Sequence, residues 1–478
     1  MILAQAGGVA GALGLAALIL GTRRWQRLAG FGGWAAGMAL LALHLAPHGH
    51  RGLLAGAAAV GLILAAIGAA VLVRWPWVLP FVALALLPAR IPVSVGDTDA
   101  NLLLPLYGVV AAAALALAWE LPGEEARRRE LGLLAWPLGL WIGWTGLSIL
   151  WTQDVREASI ELIFFVLPFG LLAVGVARLP WSRLGVVRLY GLLAFEALLF
   201  AAIGVYQWVT RDVFWNPKVI VPNAYANFYR VNSVFYDPSI YGRFLVVAIL
   251  AGLVVAIRGA TRGTAVTVVA LIAATWVGLY YSYSQSSFVA LIAGVLIAAG
   301  LLWRQRALYA LAVTAVIVIG IGLASPHVRG VLSKRTTTSW NRATGGRASL
   351  VGNGARVALA HPAIGVGVGG FKRAYADRVG LKGKEPKAAA SHDTPVTVAA
   401  ETGFPGLLLY AWLVAAALWT ALRPQGRRFA ARASAAFGIM LAAIAVHSLF
   451  YNSFFEDPMV WGLFALIALA ARVEGERA

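Results

Sequence analysis

Residues 263–303 run for 41 positions without one Asp, Glu, Lys or Arg. About 20 consecutive apolar residues cross the ~30 Å hydrocarbon core of a bilayer, so this stretch holds two membrane spans joined by a tight turn. Residues 102–119, 307–324 and 403–422 are equally free of charge. Soluble domains carry roughly 25% charged residues; this chain has 12%, with 60% hydrophobic residues, and a soluble globular fold is excluded. In lipid, helices satisfy their own backbone hydrogen bonds. The expected fold is therefore all-α: a polytopic integral membrane protein of about 12–15 transmembrane helices. The spans read as 2–20, 29–46, 52–73, 75–88, 102–119, 131–150, 160–177, 189–209, 238–257, 263–281, 285–303, 307–324, 396–422, 433–450 and 458–471. No basic segment precedes 2–20, which reads as a span and not as a cleaved signal peptide. There is no Cys, so disulfides, thiol catalysis and Cys-ligated metals are excluded.

The formal charge of +19 could suggest nucleic acid, but no nucleic-acid motif accompanies it. Much of it lies on alternate short loops: Arg23/Arg24/Arg27, Arg127–Arg129, Arg178/Arg183/Arg188, Arg258/Arg262, Arg304/Arg306 and Arg423/Arg427/Arg428/Arg432. The positive-inside rule makes these cytoplasmic. Loops 89–101, 151–159, 210–237, 325–395 and 451–457 then face outward. The chain divides into a transmembrane bundle (1–324), an extracytoplasmic loop with short helices that is the expected catalytic region (325–395), and C-terminal transmembrane helices with a short cytoplasmic tail (396–478). That loop carries twelve Lys/Arg against Asp377, Glu385 and Asp393. Sugar nucleotides are absent outside the cytoplasm, so a donor there must carry its own activation, typically a lipid-linked phosphate or pyrophosphate.

Several constellations fit an anionic substrate. Arg230 and Arg243 flank the outer edge of a span. Arginine grips phosphate oxygens bidentately, although both could instead snorkel to lipid headgroups, and Arg243, deeper, needs a partner such as Asp237. Arg347 and Arg356 follow Gly345-Gly346. On one continuous helix their nine-residue spacing sets them about 180° apart, unless Gly352 and Gly354 break it; the bland reading is solvated charge. Gly365-x-Gly367-x-Gly369-Gly370 could cradle phosphate but lacks the strand, helix and Lys of a phosphate-binding loop, so a tight turn fits it better. His392, mostly neutral at pH 7, is able to accept a proton from a sugar hydroxyl. His44 and His48 read as interfacial. Asp97-Thr98-Asp99 is a weak candidate for a divalent cation, and no metal site is expected.

His392-Asp393, nine residues, Gly403, two residues and Gly406 resemble the His-[Asn/Ser/Gln]-x9-Gly-x2-[Gly/Thr/Tyr] motif of bacterial O-antigen ligases. Arg230 to Gly242, Gly346-Arg347 followed by His361-Pro362-x-x-Gly365, and the hairpin around Ser282 to Ser287 resemble the wider ligase and polymerase superfamily. The likeness covers about residues 190–460. It implies a metal-independent, cofactor-free glycosyltransferase in the bacterial inner membrane, acting at its periplasmic face. Such an enzyme moves a glycan en bloc from undecaprenyl pyrophosphate to a sugar hydroxyl of lipid A-core or another acceptor. By this resemblance His392 is the general base and Arg230 and Arg347 hold the pyrophosphate, with the motif positions Asp393, Gly403 and Gly406 in support; Arg243 and Arg356 are candidate further contacts on their own chemistry. Asp393 departs from the ligase motif and is placed to orient His392 or raise its pKa; Gln285-Ser286 stands where many relatives have Ser-Arg. The rival readings are a polymerase, with a second lipid-linked repeat as acceptor, and a lipid-linked glycan transporter. Transport would ask for repeat symmetry and paired mid-membrane charges; no repeat is evident, and Glu161 and Glu196 are the expected intramembrane acids.

Overall fold

The computed structural model describes residues 1–46, 51–95, 98–123, 129–214, 216–225, 229–258, 261–303, 346–380, 391–423 and 428–475. Its helices are α1 (Ile2–Leu20), α2 (Arg24–Leu45), α3 (Arg51–Arg74), α4 (Val78–Ala85), α5 (Leu104–Glu120), α6 (Ala135–Leu147), α7 (Val155–Glu161), α8 (Leu167–Ala177), α9 (Arg183–Thr210), α10 (Pro217–Tyr225), α11 (Pro238–Arg258), α12 (Arg262–Ser282), α13 (Gln285–Trp303), α14 (Arg347–Ala360), α15 (Phe371–Val379), α16 (Thr394–Leu422), α17 (Phe429–His447) and α18 (Pro458–Gly475). Among the described residues ten helical stretches are long and apolar enough to cross a membrane, and Ala58–Arg74, Gln285–Leu301 and Pro458–Val473 are shorter apolar ones. The protein is thus a polytopic helical membrane protein. The expected span at 307–324 lies outside the described residues, as do 325–345 and 381–390.

Two expectations are corrected. The span at 75–88 is only the eight-residue α4, because Trp75-Pro76 ends the preceding helix and leaves too short an apolar run. The loop at 89–101 is a hairpin of β1 (Ile91–Val95) and β2 (Thr98–Leu102), antiparallel with Ile91 opposite Leu102. Alternating β-branched Ile91, Val93 and Val95 favour the extended chain. Asp97 lies outside the described residues.

The helix pair α1 and α2 approaches through small residues, as membrane helices do. A Cβ on Gly37 would sit 2.2 Å from the Gly11 nitrogen. At one end of the bundle Glu130 bonds both Arg27 (2.7 Å) and Arg178 (3.1 Å), and Arg178 also reaches Glu120 (2.8 Å). Sequence placed Arg27 and Arg178 on the same side, and the structure ties them together. Elsewhere α11, α13 and α16 all pack on α17, and α14 packs on α16, the helix that follows His392.

Candidate active site

The His392 turn is held from several sides. Ser391 is fully buried; its hydroxyl donates to the Asp393 carbonyl (2.6 Å) and accepts from the Asp393 amide (3.1 Å). The Thr394 amide donates to the Ser448 carbonyl (2.9 Å). His392 itself takes φ +61°, a left-handed conformation uncommon for a residue with a side chain. Its pKa lies below 6.5: burial is the main cause, Arg347 adds to it, and Asp237 opposes. The imidazole is therefore neutral at pH 7 and able to accept a proton.

Arg230 is fixed before it meets any ligand. The Asn223 side chain on α10 both accepts from the Arg230 amide (3.0 Å) and donates to its carbonyl (2.8 Å). The Arg230 Nε donates to the Ser282 carbonyl at the end of α12 (3.2 Å), so the hairpin helps set the guanidinium plane. The charged groups acting on Arg230 are Asp237, which favours its cation, and Arg347, which opposes it. Arg347 opens α14 after Gly346 at φ +88°, where the positive end of the helix dipole favours anions. Asp237 and Arg347 thus each act on both Arg230 and His392, and the four residues come from three separate parts of the chain.

The remaining expected residues fall differently. Arg243 is 2% exposed; Nη2 pairs with Asp457 at 2.9 Å and Nη1 donates to Ser453. Its partner is thus Asp457, because Asp237 turns its Oδ1 to the Ser239 amide (2.6 Å) at the start of α11. Arg356 is exposed and donates to Asn353 (3.1 Å). The helix α14 runs unbroken through Gly352 and Gly354, so Arg347 and Arg356 point apart as the spacing requires. Asp393 caps α16 by accepting from the Val396 amide (2.9 Å), and burial holds its pKa up. The carboxylate acting on His392 is Asp237 instead.

The motif glycines serve a backbone exchange. Gly403 has φ +69° and ψ −175° inside α16, a region open essentially to glycine, and Pro405 has no N–H for the Glu401 carbonyl. The glycine turn repairs the break: Val366 N–H donates to Ala400 O (2.9 Å), Gly367 N–H to Glu401 O (2.8 Å), and Phe404 N–H to Pro362 O (2.8 Å). Gly365, Gly367 and Gly369 all have positive φ; a Cβ on Gly367 would lie 2.3 Å from the Thr152 Cα. Gly406 is buried beside Trp144, whose indole donates to Thr402 O (2.8 Å). The turn reading of the glycine run fits this placement, since these amides serve the chain's own carbonyls.

Sequence reasoning missed Asp237 as the acid facing His392, and Tyr451, whose hydroxyl is held neutral by burial and by Asp237. It also passed over His447, fully buried with Nε2 3.0 Å from the Ser286 hydroxyl. The signal for Asp237 was present as Asp-Pro-Ser at a helix start; for Tyr451 there was only its place in an outward loop.

Residues 268–411 match the family model described as O-antigen ligase. The match supports membership of the O-antigen ligase superfamily. It covers less than a third of the chain, and it includes Arg347, His392, Gly403 and Gly406 but not Arg230 or Arg243. A search of curated proteins gives no match. The superfamily is one of glycosyltransferase-like ligases and polymerases that take lipid-linked glycans.

Proposed function

We propose that the chain is an O-antigen ligase-type glycosyltransferase of the bacterial inner membrane, working on the periplasmic face. It moves a glycan from undecaprenyl pyrophosphate to a sugar hydroxyl of lipid A-core or a similar acceptor. The observation that carries the reading is the shared neighbourhood of neutral His392, Asp237, Arg347 and a pre-oriented Arg230. His392 takes the acceptor hydroxyl's proton as that oxygen bonds to the anomeric carbon. The bond from that carbon to the pyrophosphate oxygen breaks, and its electron pair stays on the leaving group. Arg230 and Arg347 meet the charge that develops there. Pyrophosphate leaves readily, so one base and fixed cations suffice.

An apolar cleft of about 470 Å3 supports a lipid-linked donor. It is lined by helices including α4, α8, α9, α11, α17 and α18 and reaches Pro458, next to the Arg243–Asp457 pair.

The test is transfer by purified protein given undecaprenyl-pyrophosphate-linked glycan, with and without lipid A-core, with products resolved by length. A glycan-loaded core formed only when core is present supports the ligase. A ladder of lengthening lipid-linked glycans without core makes it a polymerase. Full activity in His392→Ala removes the base assignment.

A further inference from the structure

Around the turn between α12 and α13 the chain buries four hydroxyls, those of Ser282, Ser284, Ser286 and Ser287, each residue at most 4% exposed. A buried hydroxyl without a partner is costly, and each of these has one. Ser282 Oγ donates to the Leu279 carbonyl (2.6 Å) and accepts from the Ser284 amide (3.2 Å). Ser284 Oγ lies 3.2 Å from Ser286 Oγ and 2.8 Å from Ser287 Oγ. Ser287 Oγ donates to the Ser239 carbonyl at the start of α11 (3.4 Å). At the other end of this run Ser286 Oγ lies 3.0 Å from Nε2 of His447, the fully buried last residue of α17. The serines thus tie the turn to two other helices.

The same turn carries Arg230. A helix leaves its last carbonyls without partners of its own, and α12 ends against Tyr283 at φ +48°. Its final carbonyls accept from outside the helix: Val231 N–H donates to Tyr281 O (3.1 Å) and Arg230 Nε to Ser282 O (3.2 Å). The direction of the Arg230 guanidinium therefore follows the position of the turn. Gly242 of α11 lies against the same serines, since a Cβ there would be 2.6 Å from Ser287 Oγ and 3.2 Å from Ser282 Oγ.

Polar side chains often do no more than join membrane helices. This joint differs in where it ends. His447 contacts Ser286, Ser286 contacts Ser284, the Ser284 amide bonds Ser282, and the Ser282 carbonyl takes Arg230. We propose that His447 is a positioning residue for Arg230, acting through the Ser286 hydroxyl and the α12–α13 turn. The Asn223 side chain holds the Arg230 backbone; the braced turn holds its guanidinium. What Arg230 then binds rests on the glycosyltransferase reading, whereas the bracing rests on the geometry alone.

The test uses the purified full-length chain in detergent, as wild type, His447→Leu, His447→Gln and Ser286→Ala. Hydrogen–deuterium exchange reads the bracing without any substrate. The Val231 amide, bonded to the Tyr281 carbonyl, should exchange about tenfold faster in His447→Leu and Ser286→Ala, with α1 and α2 protected as before. His447→Gln, which returns a hydrogen-bonding group to Ser286, should recover most of the protection. Unchanged exchange at Val231 overturns the proposal, whether or not the protein transfers glycan. Transfer from undecaprenyl-pyrophosphate-linked glycan reads the consequence. His447→Leu should lower kcat/KM by about 10–10²-fold, but by less than about threefold in the Arg230→Lys background. Equal losses in the two backgrounds overturn the link to Arg230. A wild type that transfers nothing removes the glycosyltransferase reading, and the exchange result alone then decides the bracing. If His447→Leu does not fold, Ser286→Ala carries both comparisons.

Discussion

The Arg243–Asp457 pair allows a test that separates a substrate ligand from a strut. Both side chains are at most 10% exposed, at 2.9 Å. Removing one partner of such a buried pair leaves an uncompensated charge and costs about 3–5 kcal/mol, whereas replacing both with apolar residues of similar volume is often neutral. Arg243→Met and Asp457→Leu are each expected to destabilise by that amount, and the double variant by no more than about 1 kcal/mol, so the two sites couple strongly. Ser453, which also accepts from Arg243, accounts for the residual loss in the double variant. The assay is unfolding by SDS titration with tryptophan fluorescence, run beside glycan transfer on all four proteins. If Arg243 is a strut, folding and transfer recover together in the double variant. A double variant that folds as well as wild type but transfers nothing places Arg243 on the substrate and refutes the reasoning. Additive destabilisation would show that the ion pair is not what holds α11 to the 448–457 segment.

Arg230→Lys keeps charge but loses the planar fork that the Ser282 carbonyl orients, so kcat/KM should fall by about 10²–10³, the scale of losing one fixed donor, whereas Arg356→Ala should stay within about twofold by the same assay. Asp237→Asn removes the group that raises the His392 pKa. A general base works in its neutral form, above its own pKa, so the acid limb of the pH–rate profile, which lies below 6.5 in wild type, should move to still lower pH, and a shift upward would separate Asp237 from His392. Asn keeps the oxygen that accepts from the Ser239 amide, so the fold should survive. Gly367→Ala places a Cβ 2.3 Å from the Thr152 Cα at positive φ; strain of about 1–2 kcal/mol and overpacking of about 1–3 kcal/mol should lower the protein recovered from membranes, and wild-type yield and melting temperature would contradict the packing described.

The bundle was legible because uncharged runs such as 263–303 have one physical outcome in lipid. Element ends were harder: α4 is apolar throughout, and only Pro76 signals that the preceding helix has ended. The hairpin at 91–102 escaped because its alternation is short and sits in what charge alone marks as a loop. In the site, Arg347 and His392 were readable from their motif, and the divergence of Arg347 and Arg356 followed from helical spacing. The partners were not. Asp457 reaches Arg243 across 214 positions of sequence, and no local pattern distinguishes it from Asp237 or Asp393. Glu161, Glu401 and Thr145, which line one small cavity, likewise come together only through helix packing.

The amide and carbonyl exchange at Gly403 bears on how the protein is made. A span that reached lipid with the carbonyls of Ala400 and Glu401 bare would carry unsatisfied groups, each costing several kcal/mol in hydrocarbon. The segment 362–367 supplies their partners, and it leaves the ribosome just before α16 does. Synthesis from the N-terminus therefore delivers the patch ahead of the break it covers. Excised as a soluble fragment, the same segment would lose the acceptors for its own amides, and α16 without it would be a poor substrate for membrane insertion. Loop and span are one unit of biogenesis, and a tag or protease site is better tolerated at the tip of α15, where Val379 and Gly380 are exposed, than anywhere between Pro362 and Gly370.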